Sequence, residues 1–225
     1  MTPSDTLPDA HPASEPHPAH EGPPPSPWLI ALEFRAAWEF GSILPFWPLL
    51  QRGPAGDGHP VIVFPGLSAS DGSTVPLRNY LSTRNYAVSG WNQGYNFGPR
   101  AGVLEAGSLQ IREAYLSAGK RKVSLIGWSL GGIYARELAK LHPELVRGVI
   151  TLGTPFAGSP ESTNAWRLFR LTSGRDIKSE TGRFDLPVAP PVPTTSIFSR
   201  TDGIVAWQGS LQKPSKANPN TENIE

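Results

Sequence analysis

The stretch Val123-Ser124-Leu125-Ile126-Gly127-Trp128-Ser129-Leu130-Gly131-Gly132 constrains the fold of this chain more than any other. An apolar run leads into Gly-x-Ser-x-Gly, and a helical pattern follows at once. That order fits a strand, a sharp turn and a helix, with Ser129 at the apex. Glycines flank the serine because such a turn brings backbones together and leaves no room for a Cβ. The helix N-terminus lies beneath the serine and contributes partial positive charge. Ser129 is therefore a candidate nucleophile, and the N–H of Leu130 a candidate donor to a developing oxyanion. A glycine-rich turn with Ser129 as a helix N-cap is the plainer alternative. The strand directly before, the helix directly after and the central place in a βα series favour the nucleophile.

The flanking sequence alternates strand and helix signals. Val61-Ile62-Val63-Phe64 is a β-branched run stopped by Pro65-Gly66, and Tyr86-Ala87-Val88 leads to Gly90. Val103 to Gly119 reads as a helix ending in glycine, with Ile111 and Tyr115 on one face. Val123 to Ile126 is a strand, and Leu130 to Leu141 is a helix with Tyr134, Leu138 and Leu141 on one face. Val149 to Leu152 and Thr194 to Ser199 are further strands. Alternation of this kind predicts an α/β fold: a mostly parallel sheet with helices on both faces. Short apolar strands without polar alternation agree, because both their faces are covered.

Residues 1–27 are rich in Pro, Ala, Ser and acidic residues and are expected to be a disordered tail holding His11, His17 and His20. Residues 28–225 are expected to form one domain, with an insert or lid at about 157–193. Within Trp28 to Leu50, Ile30, Phe34 and Trp38 share a helical face, read as a cover for the core or its pocket. An interfacial membrane contact is a weaker reading, because the polar face carries little positive charge.

The 225 residues carry a formal net charge of +1, too little to draw nucleic acid or an anionic membrane. Zero cysteines remove disulfides, thiol chemistry and thiolate metal sites together. No metal or organic cofactor is implied. The first positive residue is Arg35, so no basic signal-peptide region precedes it, and no apolar stretch reaches the roughly 20 residues of a membrane span. A cytoplasmic location is the expectation.

Two further groups complete the candidate site. The loop Phe64-Pro65-Gly66-Leu67-Ser68 follows the first strand, and by position the Leu67 N–H is a second oxyanion donor. Asp202 lies just past the strand at Thr194 to Ser199, on the sheet edge that carries Ser129, and is the candidate acid. A plain Asp-Gly turn is the simpler account. Asp176 and Asp185 are alternatives, less well placed within the insert. Trp128, Phe156 and Trp166 are expected to contact substrate, and Trp91, Tyr95 and Phe97 follow a strand that leads to the same edge. A general base is missing from this set. His142 ends the helix that Ser129 begins, and His59 precedes its strand, so both belong to the wrong edge of the sheet. No histidine follows Asp202.

From about His59 to Val205 the chain resembles the α/β-hydrolase superfamily, and its bacterial lipases and esterases most of all. The residues that carry this are Val-Phe-Pro-Gly-Leu, Gly-Trp-Ser-Leu-Gly-Gly, Thr151-Leu152-Gly153-Thr154-Pro155 and Ser-Arg-Thr-Asp-Gly-Ile-Val. Pro65 and Phe156 stand where such lipases often have histidine. The resemblance implies an α/β-hydrolase fold and a serine hydrolase of carboxylic esters, working through an acyl-enzyme on a small-molecule or lipid ester. It places Ser129 as nucleophile, Asp202 as acid, and Leu67 and Leu130 as oxyanion donors. The family's histidine normally follows one more strand, with a final helix behind it, whereas here the sequence stops at Asn223-Ile224-Glu225, where Asn223-Ile224 reads as the start of that strand. A chain cut short before its last strand and helix accounts for that departure, and would leave these residues almost inactive. A noncatalytic binding protein on the same scaffold and an acyltransferase are the alternatives.

Overall fold

The computed structural model describes residues 45–157, 185–215 and 218–225. The tail, most of the segment at 28–50 and most of the insert at 157–193 lie outside the described residues.

In chain order the elements are β1 (Pro60–Phe64), α1 (Asp71–Thr83), β2 (Ala87–Gly90), α2 (Val103–Ser117), β3 (Val123–Trp128), α3 (Leu130–Leu141), β4 (Val146–Leu152), β5 (Thr194–Ile197) and β6 (Thr221–Ile224). The sheet order is β2-β1-β3-β4-β5-β6 and every pairing is parallel. Parallel neighbours need a crossover, and the helices supply it.

The strands carry no polar alternation because each face meets its own apolar layer. Ile62 and Phe64 of β1 pack with Val103 and Ile111 of α2 and with Ile133, Tyr134 and Leu138 of α3. Val61 and Val63 face the other way, with Ile126 of β3 and Leu77 and Leu81 of α1. One strand thus serves two cores by its period of two. Helix α2 stops where its glycine requires. Gly119 adopts φ +67, its N–H reaches the Leu116 carbonyl at 3.1 Å, and the Lys120 N–H reaches the Tyr115 carbonyl at 2.8 Å. These two bonds form a Schellman cap.

Two elements depart from expectation. Helix α1 has no clear sequence signature, because Pro76 sits inside it and removes a backbone donor. It is held by Leu77 and Leu81 against the sheet and by Asp71 in its first turn, rather than by a broad apolar stripe. The second is the last strand, expected to be missing apart from a start at Asn223-Ile224. Thr221–Ile224 pairs in parallel with β5, Thr194 opposite Thr221 and Ile197 opposite Ile224. Four polar-flanked residues give little sequence signal, yet the open ladder of β5 supplies them with partners. Asn223 reinforces the strand through two bonds to the Gln212 backbone, each of 2.9 Å.

Leu125 is a stringent test of this packing, because it is fully buried in the central strand between β1 and β4 partners. Leu125→Ala is expected to lower the unfolding free energy by about 2–5 kcal/mol, the range for a buried leucine that leaves a cavity. Urea denaturation followed by tryptophan fluorescence checks this.

Candidate active site

The turn after β3 is built by close backbone approach. Ser129 adopts φ 51 and ψ −121, a conformation that costs a non-glycine residue about 1–3 kcal/mol. It is held there from both sides: its N–H donates to the Leu152 carbonyl at 2.8 Å, and its carbonyl accepts from the Gly132 N–H at 3.0 Å. A Cβ on Gly127 would collide with the Gly131 and Gly132 backbone, and one on Gly131 with the Phe64 and Pro65 carbonyls. The first turn of α3 is therefore pressed against the end of β1. Ser129 itself is half-buried and heads α3, whose first N–H groups lack intrahelical acceptors.

The loop after β1 reaches the same place. A Cβ on Gly66 would lie 3.4 Å from the Ser129 Cβ and 3.2 Å from the Trp128 ring. Among the described residues, neither the Leu67 N–H nor the Leu130 N–H donates to a backbone carbonyl. Two donors without a backbone acceptor thus belong to the two segments that meet at Ser129. Trp128 stands beside it, 46% exposed.

Asp202 lies on the same rim, on the far side of β4. The Gly153 N–H bonds the Ile197 carbonyl at 2.9 Å, and the Asp202 Oδ2 lies 3.1 Å from where a Gly153 Cβ would be. Ser129 and Asp202 therefore flank the Leu152–Gly153 end of one strand. The turn reading of Asp202 holds as well, since its Oδ1 accepts from the Ile204 and Val205 N–H groups, both at 2.8 Å. That leaves one carboxylate oxygen fixing the loop and the other turned toward β4.

The histidines fall elsewhere. His142 ends α3, roughly 20 Å from Ser129 at 1.5 Å per residue, with its Nε2 2.8 Å from the Ser108 Oγ of α2. His59 precedes β1 at the opposite rim. There its Nδ1 is 2.5 Å from the Asp57 Oδ1, and its Nε2 2.8 Å from the Ser124 Oγ. This Asp–His–Ser chain has the residue types of a catalytic triad but none of its setting. It lies at the N-terminal ends of β1 and β3, away from the strand-to-helix turn. It ties those strands together, and Asp57 also pairs with Arg147 at 2.9 Å and Arg121 at 3.1 Å.

Phe156 was expected to contact substrate. It is 1% exposed, and the Arg136 guanidinium lies 3.8 Å from its ring centroid, so its face is covered by the protein itself. Trp91 is likewise buried, stacked on Tyr134 at 6.2 Å. Trp166 and Asp176 lie outside the described residues. Asp185 is exposed, and its backbone carbonyl accepts from Lys140 at 2.7 Å.

Two residues that the sequence did not single out organise the rim. Asp71 accepts from the Trp91 N–H at 2.9 Å and the Asn92 N–H at 3.0 Å, tying α1 to the loop after β2. Arg136, fully buried in α3, donates to Gln212 Oε1 at 2.6 Å and to the Leu186 and Val188 carbonyls at 3.0 Å. Burial pushes its guanidinium down to about 9, which leaves it charged at neutral pH. No local pattern marks it, because Glu137 and Lys140 beside it make its side of α3 read as a solvent face.

With this geometry in hand, a model of the alpha/beta hydrolase family matches residues 37–223. The chain belongs to that family. Over 49 residues it is 43% identical to triacylglycerol lipases of Pseudarthrobacter phenanthrenivorans and Burkholderia plantarii. Those alignments cover 22% of this chain and only 15% and 14% of the two lipases. Among solved structures it is similar to the monoacylglycerol lipase of Paleococcus ferrophilus. The TM-score is 0.52 at 17% identity, over 77% of this chain and 85% of that one. The mature form of a Bacillus licheniformis lipase gives 0.51 at 19%, over 77% and 87%. At such identities the shared property is the fold. Among the described residues no helix is long and apolar enough to cross a membrane.

One substitution at the elbow, one in α1 and one at the opposite rim make this testable. Gly131→Ala is expected to destabilise by about 1–3 kcal/mol through overpacking. Gly72→Ala in α1, where a Cβ meets nothing closer than 3.5 Å, is expected to stabilise by up to about 1 kcal/mol. Chemical denaturation of the two variants should therefore shift in opposite directions. At the other rim, the hydrogen bond from the His59 ring, helped by its backbone N–H and by Arg147, holds the Asp57 carboxyl far below the usual range. A folded-state value below the unfolded one means stability that is present above the unfolded value, near 3.9, and lost as pH falls through the folded one. Asp57→Asn should lower the melting temperature by a constant amount from pH 5 to 7. The gap to wild type should close as pH drops below about 4.

Proposed function

We propose that this chain carries the acyl-transfer half-site of a serine carboxylester hydrolase. The observation that carries the reading is Ser129 at φ 51, seated at the N-terminus of α3 with the unpaired N–H groups of Leu67 and Leu130 beside it. Such donors stabilise negative charge that grows on a carbonyl oxygen as it is attacked, and they are already oriented before reaction. In this reading Ser129 Oγ attacks the ester carbonyl and Leu67 and Leu130 N–H hold the oxyanion. The alcohol leaves, and water then releases the acid. Asp202 orients the imidazole that takes the serine proton, and Trp128 lines the entrance. The lipase names of the relatives favour a carboxylic ester of glycerol-like alcohols and apolar acids. In this reading neither His59 nor His142 is the base, because both are held at other places in the fold.

That displacement of both histidines also favours a second reading, a noncatalytic protein that binds acyl compounds at the same turn. Turnover separates the two. Residues 1–225 alone are expected to hydrolyse p-nitrophenyl butyrate at the level left to an oxyanion hole without its base, about 10³–10⁴-fold over water. Ser129→Ala should change that residual rate little, because it belongs to the oxyanion hole and to binding and not to the serine. A chain carried past Glu225 through a histidine-bearing segment should gain turnover and label quickly at Ser129 with a fluorophosphonate. Fast stoichiometric labelling of residues 1–225 would defeat the assignment of the base. Absence of any Ser129-dependent turnover in both chains would favour the binding protein.

A further inference from the structure

The loop that carries Leu67 has no regular structure of its own, yet its N–H must be fixed within a fraction of an ångström to act on an oxyanion. The holding group is Asn96, in the loop after β2. Asn96 is fully buried, although both its neighbours are among the most exposed aromatic residues of the chain, Tyr95 at 59% and Phe97 at 53%. Those two rings stack on each other outside, with centroids 5.8 Å apart, and only residue 96 turns inward.

All of the hydrogen-bonding groups of Asn96 but one are spent on a single target. Its Nδ2 donates to the Pro65 carbonyl at 2.8 Å. Its backbone carbonyl accepts from the Ser68 N–H at 2.7 Å, and its backbone N–H donates to the Ala69 carbonyl at 2.8 Å. Its Oδ1 accepts from the Gly98 N–H at 3.2 Å, which keeps the side chain in register with its own loop. The three bonds to the 65–69 segment bracket Leu67 on both sides and leave the Leu67 N–H as the unpaired donor between them. Ser68 adopts φ 56 within the bracket, a left-handed conformation that a free loop would seldom hold. Gly66, inside the same bracket, is the residue whose backbone lies against Ser129 and Trp128. The second anchor of the β2 loop, Asp71 on the Trp91 and Asn92 N–H groups, prevents the clamp from drifting with the segment it holds.

We infer that Asn96 is a positioning residue, the clamp that sets the Leu67 N–H against Ser129. This rests on the hydrolase reading for its catalytic consequence, but the clamp itself does not. An aspartate would fit the same volume and keep the acceptor for Gly98, but ionised it has no donor for the Pro65 carbonyl. An alanine would leave that carbonyl buried without the Asn96 donor, a cost the loop can relieve only by moving.

Two measurements on residues 1–225 test it, with Asn96→Ala and the near-isosteric Asn96→Asp. The first is amide hydrogen exchange. Exchange at 66–69 is expected to quicken by about tenfold or more in both variants, with exchange in β3 unchanged as the sign of an intact fold. If Asn96→Ala does not fold, Asn96→Asp carries the test. The second is p-nitrophenyl butyrate turnover above the uncatalysed rate in water. Turnover number is expected to fall about 10- to 100-fold with KM within about twofold, since a displaced oxyanion donor acts in the transition state and not on bound substrate. Unchanged exchange at 66–69 overturns the clamp. Faster exchange with an unchanged turnover number overturns its catalytic consequence. If the unsubstituted chain shows no turnover above that rate, the catalytic consequence fails with it, and the exchange result alone then decides for or against the clamp.

Discussion

The approach of the first turn of α3 to the end of β1 is the contact on which the rest of this structure depends. Side chains would hold these elements at ordinary helix-on-sheet distance. Glycine at 127 and 131 lets main chain meet main chain instead, with the Gly131 Cα against the Phe64 and Pro65 carbonyls. The strained serine follows from that contact. Its left-handed φ is sustained because Leu152 on one side and Gly132 on the other satisfy its backbone groups. The loop after β1 is drawn to the same point, so the donors of two different elements converge where a helix N-terminus also adds positive potential.

The two rims of the sheet show how far residue types fall short of chemistry. At the N-terminal rim, Asp57, His59 and Ser124 form an unbroken hydrogen-bonded chain with good distances. It has no strained turn and no helix terminus behind its serine, so it works as a tie between β1 and β3. At the C-terminal rim, Ser129 and Asp202 flank one strand end with donors in place but no described histidine between them. Position relative to the strand ends, where crossovers leave a crevice in open α/β sheets, separates the two.

Much of the fold could be read along the chain. The buried strands β1, β3 and β4 stand out as β-branched runs, and Gly119 announces the end of α2 by the cap it forms. Helix α1 could not be read, because Pro76, Gly72 and a run of short polar residues remove both propensity and periodicity. The burial of Phe156 could not be read either, for a related reason. Its place after the strand-end Thr-Pro pair favours an open site, and only the fold brings the Arg136 guanidinium over its ring. Asn96 and Arg136 show the same limit, because their partners lie 31 and 50 or more residues away.

By itself the sequence determined the strand-to-helix turn at Ser129, because a glycine-flanked serine between an apolar run and a helical pattern has few other conformations open to it. It also determined the layered α/β class, since the order of its elements admits little else. The tertiary structure alone decided which donors stay unpaired, which aspartate oxygen faces β4 and which aromatic rings stay open to solvent. Each of these is settled by a hydrogen bond or contact between segments remote in the chain, and no local pattern of residues encodes the distance between them.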